Sequence, residues 1–306
     1  MTQTRRRVLQ GILGLTLASI LPACGSDRST NETTETTIRI GSKDFIEQLI
    51  LGEMYALALE EEGFKVDRVL NLGGTPVAQA ALRAGDIDLY PEYTGTGLLT
   101  VLKLPSDSDP QGVYTSVKEG YKRQFNLVWL DPAPLNNTNA LAMTRSRAQE
   151  LGITTLSDFA AQAQTLTLIG APEFEVREDG LPGLQQVYGP FSLGSYKAVD
   201  SGLRYQGLLA GDGDVAVAYT TDGEISAFDL VLLEDDRQFF PPYQVAPVVR
   251  QDTLDAHPTL ADTLNRLSPL LTTAVMQDLN NAVSGQQQEP AAVARSFLVQ
   301  QGVIPE

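Results

Sequence analysis

The chain has 306 residues, too many for one ordinary core and enough for two lobes of roughly 100–150 residues each. Hydrophobic residues make up 42% and charged residues 20%, a globular balance that excludes gross disorder. The net charge of −16 excludes nucleic acid as a partner, because a polyanion is repelled and no Lys/Arg cluster lies outside the extreme N-terminus.

That N-terminus reads as an export signal over residues 1–23. Arg5, Arg6 and Arg7 form a basic segment, and Val8 to Leu21 is apolar but shorter than the ~20 residues needed to cross a bilayer. Thr4-Arg5-Arg6-Arg7-Val8-Leu9 fits a twin-arginine signal, although three arginines serve general secretion equally well. Leu21-Pro22-Ala23-Cys24 resembles a bacterial lipoprotein cleavage box, with Pro22 unusual for one. Cys24 is the single cysteine, which excludes intrachain disulfides and cysteine-based metal sites. Its expected role is lipidation, a membrane anchor; the alternative is a residue discarded with the signal. Residues 24–37, rich in Ser, Thr, Asn and Glu, read as a flexible tether.

The folded part opens with an alternating strand, Ile38 to Gly41. Asp44-x-x-Glu47 reads as a capping box before a helix that stops at Gly63. A strand from Val66 to Leu70 leads to Gly73-Gly74-Thr75-Pro76 and a helix to Ala84. Strand then alternates with helix, which implies α/β lobes built on largely parallel sheets covered on both faces. The alternation restarts at Arg145, and from Thr253 onward the chain reads as helices packed on a lobe. The division expected is lobe 1 over 38–140 plus 246–306 and lobe 2 over 141–245. Extended crossings near Asn139–Thr144 and Tyr243–Val249 are expected to act as hinges.

A partial repeat points to a cleft. Ala84-Gly85-Asp86-Ile87-Asp88 runs to Tyr93-Thr94, and Ala210-Gly211-Asp212-Gly213-Asp214 runs to Tyr219-Thr220. Each Gly suits a left-handed helix end, so each Tyr falls at the carboxyl end of a strand, where open α/β sheets bind ligands. The Asp pairs could be acid–base groups or metal ligands, but turn and cap chemistry explains them better. Gly211 to Asp214 lacks the later acids of a calcium loop, and no lysine follows Gly73-Gly74-Thr75 at phosphate-loop spacing. His257 is the only histidine, read as a solvated helix cap at the start of a C-terminal helix, which leaves triads and zinc sites without partners. No catalysis, metal or cofactor is expected.

Tyr93, Tyr219 and Tyr243, the last stiffened by Pro241-Pro242, could converge as an electron-rich box for a quaternary ammonium group. Tyr93-Thr94-Gly95-Thr96-Gly97 adds small hydroxyls and free N–H groups at a helix start, a setting for a carboxylate.

At this point several blocks together carry a family likeness. They are Gly41-Ser42-Lys43-Asp44-Phe45-Ile46-Glu47-Gln48, Asn71-Leu72-Gly73-Gly74-Thr75, Gly85 to Thr96, Asn136-Asn137-Thr138, Ala218 to Gly223 and Phe239-Phe240-Pro241-Pro242-Tyr243. From Ile38 to the C-terminus the chain resembles the substrate-binding proteins of ABC importers for glycine betaine, carnitine and choline. The resemblance implies a two-lobed, hinge-closing periplasmic-binding-protein fold (type II) and a small zwitterionic ligand. It also implies an ABC permease with its ATPase as partners, and a periplasmic or cell-surface location. Tyr93, Tyr219 and Tyr243 would be cage walls, and Thr96 with Lys43 would meet the ligand carboxylate. Asn139 stands where family members often carry another cage tyrosine, which implies a less methylated, larger or more weakly held ligand; Tyr196 or Tyr205 could fill the gap. The rival readings are another amino-acid-like ligand, a ligand-sensing lipoprotein without a permease, and a hydrolase on a similar fold.

Overall fold

Short apolar strands alternating with helices build two five-stranded sheets. The structure, a computed structural model, describes residues 37–176 and 180–306. The expected signal segment, Cys24 and the tether up to residue 36 lie outside the described residues. The first strands are β1 (Ile38–Gly41), β2 (Val66–Val69), β3 (Leu89–Tyr93), β4 (Leu127–Trp129) and β5 (Asn139–Thr144). They are followed by β6 (Thr167–Gly170), β7 (Ser195–Ala198), β8 (Val215–Tyr219), β9 (Leu230–Leu232) and β10 (Val245–Arg250).

One sheet has the order β2-β1-β3-β10-β4 and the other β7-β6-β8-β5-β9. In each, the first three strands are parallel and the fourth runs antiparallel to both neighbours. That fourth strand is the one arriving from the other lobe, so two stretches of chain cross between the sheets. The two lobes share one plan, the α/β architecture expected from the alternation.

The repeat has the same geometry in both lobes. Gly85 (φ 79°) and Gly211 (φ 77°) end the preceding helices in the left-handed region, which disfavours a Cβ. The second Asp of each copy fastens the neighbouring strand. Asp88 Oδ2 accepts from Arg39 N at 2.8 Å, and Asp214 Oδ2 accepts from Thr167 N at 2.9 Å. Each carboxylate also takes an arginine, Arg39 in one lobe and Arg147 in the other. The repeated aspartates are therefore strand-start anchors, consistent with the turn-chemistry reading.

The crossings lie a few residues earlier than the sequence suggests. Asn139–Thr144 and Val245–Arg250 are sheet strands, because their runs of apolar residues are buried on both faces. Polar Asn136-Asn137-Thr138 and proline-rich Pro241-Pro242 are left outside the sheets as the links, pairing where Asn136 bridges Gln244. The links are also laced together: Asn137 N donates to Tyr243 O at 3.1 Å, and Thr138 Oγ1 to Pro241 O at 2.9 Å.

The C-terminal helices complete the first lobe. Leu260, Leu264, Met276, Phe297 and Leu298 share a core with Ile38, Ile40, Leu51 and Leu59. His257 sits at the C-terminal end of helix Gln251–Ala256, not at a helix start, with its ring edge-on to Phe64 at 5.7 Å. Among the described residues no helix is long and apolar enough to cross a membrane.

Asp88→Ala strips three donors of their acceptor at the start of β1. It is expected to lower stability by roughly 2 kcal/mol in urea unfolding, since each lost bond to a charged acceptor is worth on the order of 1–3 kcal/mol and the arginine regains water.

Candidate functional site

The carboxyl ends of β3 and β8 open onto one cleft of about 990 Å³. Tyr93 ends β3, Tyr219 ends β8, and Tyr243 lies two residues before β10. Asn139 opens β5 in direct register with Tyr219. Thr96 follows Tyr93 by one helical turn, and Lys43 follows β1. All six line the cleft. Cys24, the remaining expected functional residue, lies outside the described residues.

Tyr93 is only 4% exposed, and its hydroxyl donates to Glu47 Oε1 at 2.7 Å. Burial, and then the Glu47 charge, push the Tyr93 phenol well above its ordinary pKa, so it is a neutral donor. Glu47 also accepts from Asn137 Nδ2 at 3.0 Å and from Asn280 Nδ2 at 3.0 Å. The capping box expected from Asp44-x-x-Glu47 does not form. Phe45 is the N-cap of helix Ile46–Glu61, no side chain caps it, and Glu47 turns into the cleft floor instead. A carboxylate offered three side-chain donors is better satisfied there than at one backbone N–H. Phe45 stacks on Tyr93 with ring centroids 6.2 Å apart and remains 40% exposed on the cleft wall.

Lys43 is held by a buried partner. Its Nζ lies 2.5 Å from Glu92 Oε1, with the two side chains 5% and 0% exposed. Glu92 further accepts from Tyr90 Oη at 2.9 Å and from Tyr93 N at 2.6 Å. The ammonium also stands 5.0 Å from the centroid of the Tyr93 ring. Such a pair is maintained by its geometry, since separating either ion leaves a desolvated charge.

On the opposite wall Tyr219 is 47% exposed, the most open of the three rings. The Arg204 guanidinium lies 5.7 Å from that ring and bonds Asp222 at 2.6 Å. Asp222 Oδ2 also accepts from Tyr219 N at 2.7 Å and from Tyr205 Oη at 2.6 Å, so it fixes the turn that carries Tyr219. Tyr205 is thereby buried behind Arg204, and the Tyr196 hydroxyl donates to Ala171 O at 2.5 Å. Among the described residues, neither tyrosine lines the cleft beside Asn139.

Tyr243 is positioned by close backbone approach. A Cβ on Gly95 would fall 2.8 Å from both the Tyr243 ring and Pro242 O, so only glycine lets this ring settle against the helix start. Thr94 turns away from the cleft and bonds Pro242 and Gln244. Of the hydroxyls in Tyr93-Thr94-Gly95-Thr96, it is Thr96 that lines the cleft.

The charged residues lining the cleft are two cations, Lys43 and Arg204, against four anions, Asp44, Glu47, Asp222 and Glu224. Among the described residues no group of three or more His, Cys, Asp or Glu could hold a metal. Phe45, Glu92, Arg204 and Asn280 line the cleft or support its walls and carry no spacing signal of their own, and the spacing of Glu47 pointed to a helix cap instead. Asn280, 233 positions from Glu47, could be found only through the fold.

Residues 36–300 match the model of the substrate binding domain of the ABC-type glycine betaine transport system. A glycine-betaine-binding protein of Pseudomonas aeruginosa is 37% identical, over 92% of this chain and 93% of that one. The ergothioneine transport permease/ergothioneine binding protein EgtU of Helicobacter pylori is 33% identical over 99% of this chain, which spans 54% of that longer protein. The crystal structure of a glycine betaine/carnitine/choline ABC transporter superposes with a TM-score of 0.84 at 33% identity, covering 87% of this chain and 99% of that one. A cleft walled by tyrosines between two lobes of shared plan, a family match along nearly the whole folded chain and a relative 37% identical along nearly its full length lead to one assignment: the chain belongs to the substrate-binding domain family of ABC-type glycine betaine transport systems.

Proposed function

We propose that the cleft captures a quaternary-ammonium or related zwitterionic compatible solute of the glycine betaine, choline, carnitine or proline betaine class and presents it, extracytoplasmically, to an ABC permease driven by its ATPase. One observation carries this reading: Tyr93, Tyr219 and Tyr243 line a single cleft whose charged side chains are predominantly anionic. A trimethylammonium group has no N–H to donate, so hydrogen-bonding sites gain nothing from it, whereas each ring face contributes ~0.5–2 kcal/mol through its quadrupole. The glycine betaine named for one relative belongs to this class.

Tyr219 and Tyr243 are the outer cage walls and Tyr93 is the inner one. Thr96 meets the carboxylate by a hydroxyl at a helix start. Lys43, tied to Glu92, supports the carboxylate by its nearby charge and not by a free ammonium. Asn139, in register with Tyr219, supplies an amide in place of a ring, and thereby favours a ligand with a further polar group over the smallest betaines. Lobe 1, 38–140 plus 246–306, and lobe 2, 141–245, close on the ligand. Lipidated Cys24 holds the domain to a membrane face near its permease.

Calorimetric titration of the mature domain with glycine betaine, choline, carnitine, proline and arginine tests the class. Heat with at least one quaternary amine is expected, and its absence with all of them overturns the proposal. Tyr219→Ala should weaken the best ligand by about tenfold or more, because an exposed wall ring lost costs ~1–2 kcal/mol. Asn139→Tyr, restoring a ring opposite Tyr219, should tighten glycine betaine by several-fold on the same scale. Lys43→Met isolates Glu92 in the core and should cost roughly 3 kcal/mol of stability in chemical unfolding. Adding Glu92→Gln to that variant should restore most of the loss, since the orphaned charge is then gone.

A further inference from the structure

The buried carboxylate of Glu47 is not needed to cap a helix and is not matched by a cation. Its three hydrogen-bond donors are neutral: the Tyr93 hydroxyl and the amides of Asn137 and Asn280. The other buried charges near the Tyr93 ring cancel as a pair, Lys43 against Glu92 at 2.5 Å. The group around Tyr93 therefore carries one excess negative charge, on the residue that hydrogen-bonds its hydroxyl. Retaining such a charge with only neutral partners is costly, and neutral residues of similar shape could fill the same space.

We propose that Glu47 is a positioning and specificity-determining residue which, through Tyr93, makes the cleft select ligands with a permanently charged ammonium head group over ligands of the same shape whose head group is uncharged. It rests on the quaternary-ammonium reading of the cleft. The geometry gives the means. A phenol donating to a carboxylate at 2.7 Å acquires more phenolate character, and a more electron-rich ring face attracts a cation more strongly. Glu47 lies on the cleft floor but is only 3% exposed, so its effect reaches the ligand chiefly through the Tyr93 ring that it holds. Its charge is weakly screened there, which extends its attraction to a cation at the cage. The two amides hold the carboxylate still, so no reorganisation is required when the ligand arrives.

The test compares glycine betaine with tert-butylacetate, its isostere with carbon in place of the charged nitrogen. Both keep the carboxylate and the three methyl groups, so the ratio of their dissociation constants reads cation preference alone. Glu47→Gln keeps an oxygen that can accept from Tyr93 while removing the charge. The expected result is a roughly tenfold fall in the tert-butylacetate dissociation constant divided by that of glycine betaine, with glycine betaine weakened and tert-butylacetate bound at least as tightly as by the unmodified protein. Equal weakening of both ligands, or an unchanged ratio, would assign Glu47 a purely structural role and overturn the proposal. Failure of the unmodified protein to bind any quaternary amine would overturn the ligand class itself, and this proposal with it. Should Glu47→Gln not fold, Tyr93→Phe keeps the ring and cuts its link to Glu47. The ratio should fall in that variant too, and a ratio like that of the unmodified protein refutes the route through Tyr93.

Discussion

Two threonine side chains, placed alike in the two lobes, hold the binding cleft to its hinge. Thr94 N donates to Gln244 O at 2.9 Å, while its hydroxyl donates to Pro242 O at 3.2 Å and accepts from Gln244 N at 3.1 Å. Thr220 repeats the pattern on the other crossing. Its N–H donates to Thr138 O at 3.0 Å, and its hydroxyl accepts from Thr138 N at 3.0 Å and donates to Asn136 O. Each threonine thus turns a strand end and a crossing into one hydrogen-bonded unit. The preceding residue on an extended strand points the other way, so Tyr93 and Tyr219 are directed into the cleft by the same contact. These bonds therefore tie the residues next to Tyr93 and Tyr219 to the links between the lobes.

Electrostatics are arranged around the same strand ends. Glu47 apart, the buried or half-buried ions around these strand ends are paired within their own lobe: Arg39 with Asp88 and Lys43 with Glu92 in the first, Arg147 with Asp214 and Arg204 with Asp222 in the second. Pairs that do not bridge the cleft need not be broken for a ligand to enter, which keeps the cost of binding low. The rings are held before the ligand arrives, Tyr93 by Glu47 and Phe45, Tyr219 through its backbone by Asp222, and Tyr243 through its backbone by Asn136 Oδ1 at 2.7 Å. A weak, non-directional attraction such as cation–π is effective only when its walls are preorganised in this way.

Much of this plan was legible in the sequence because its signals are local. Gly85 and Gly211 mark helix ends, the apolar runs mark strands, and the spacing from Gly to Tyr is the same in both copies. What escaped is set by contacts between distant residues. Lys43 and Glu92 are 49 positions apart, and a lysine beside a helix start looks solvated until β1 and β3 are placed side by side. Glu47 satisfied a capping pattern that many solvated helices use, and only the folded chain offers it three better donors. The crossings were displaced because β5 and β10 are as extended as a linker. What distinguishes them is their pairing partners, which lie in segments far away in sequence. Asn139 is the converse case. It could be singled out from its neighbours in sequence, yet only the folded chain sets it on the cleft in register with Tyr219.

The C-terminal helix Thr273–Ser284 adds a constraint on lobe movement that two crossings alone would not impose. Met276 anchors it in the first lobe's core, while its other side bonds the second lobe. Gln277 Nε2 donates to Thr220 O at 2.7 Å, and Asn280 Nδ2 to Thr221 O at 2.8 Å. Gly223 lies flush against it, since a Cβ there would fall 2.5 Å from Asn281 N. These bonds do not involve a ligand, so they favour this arrangement of the lobes with or without one. A ligand shifts the lobes only through contacts that differ between arrangements. The rings and Thr96 line the cleft, where a ligand would meet the protein, whereas the helix bonds lie outside the rings. Asn280 belongs to both sets, because one amide nitrogen serves Glu47 on the cleft floor and Thr221 beyond Tyr219. It thus joins the carboxylate that takes the Tyr93 hydroxyl to the turn that follows Tyr219.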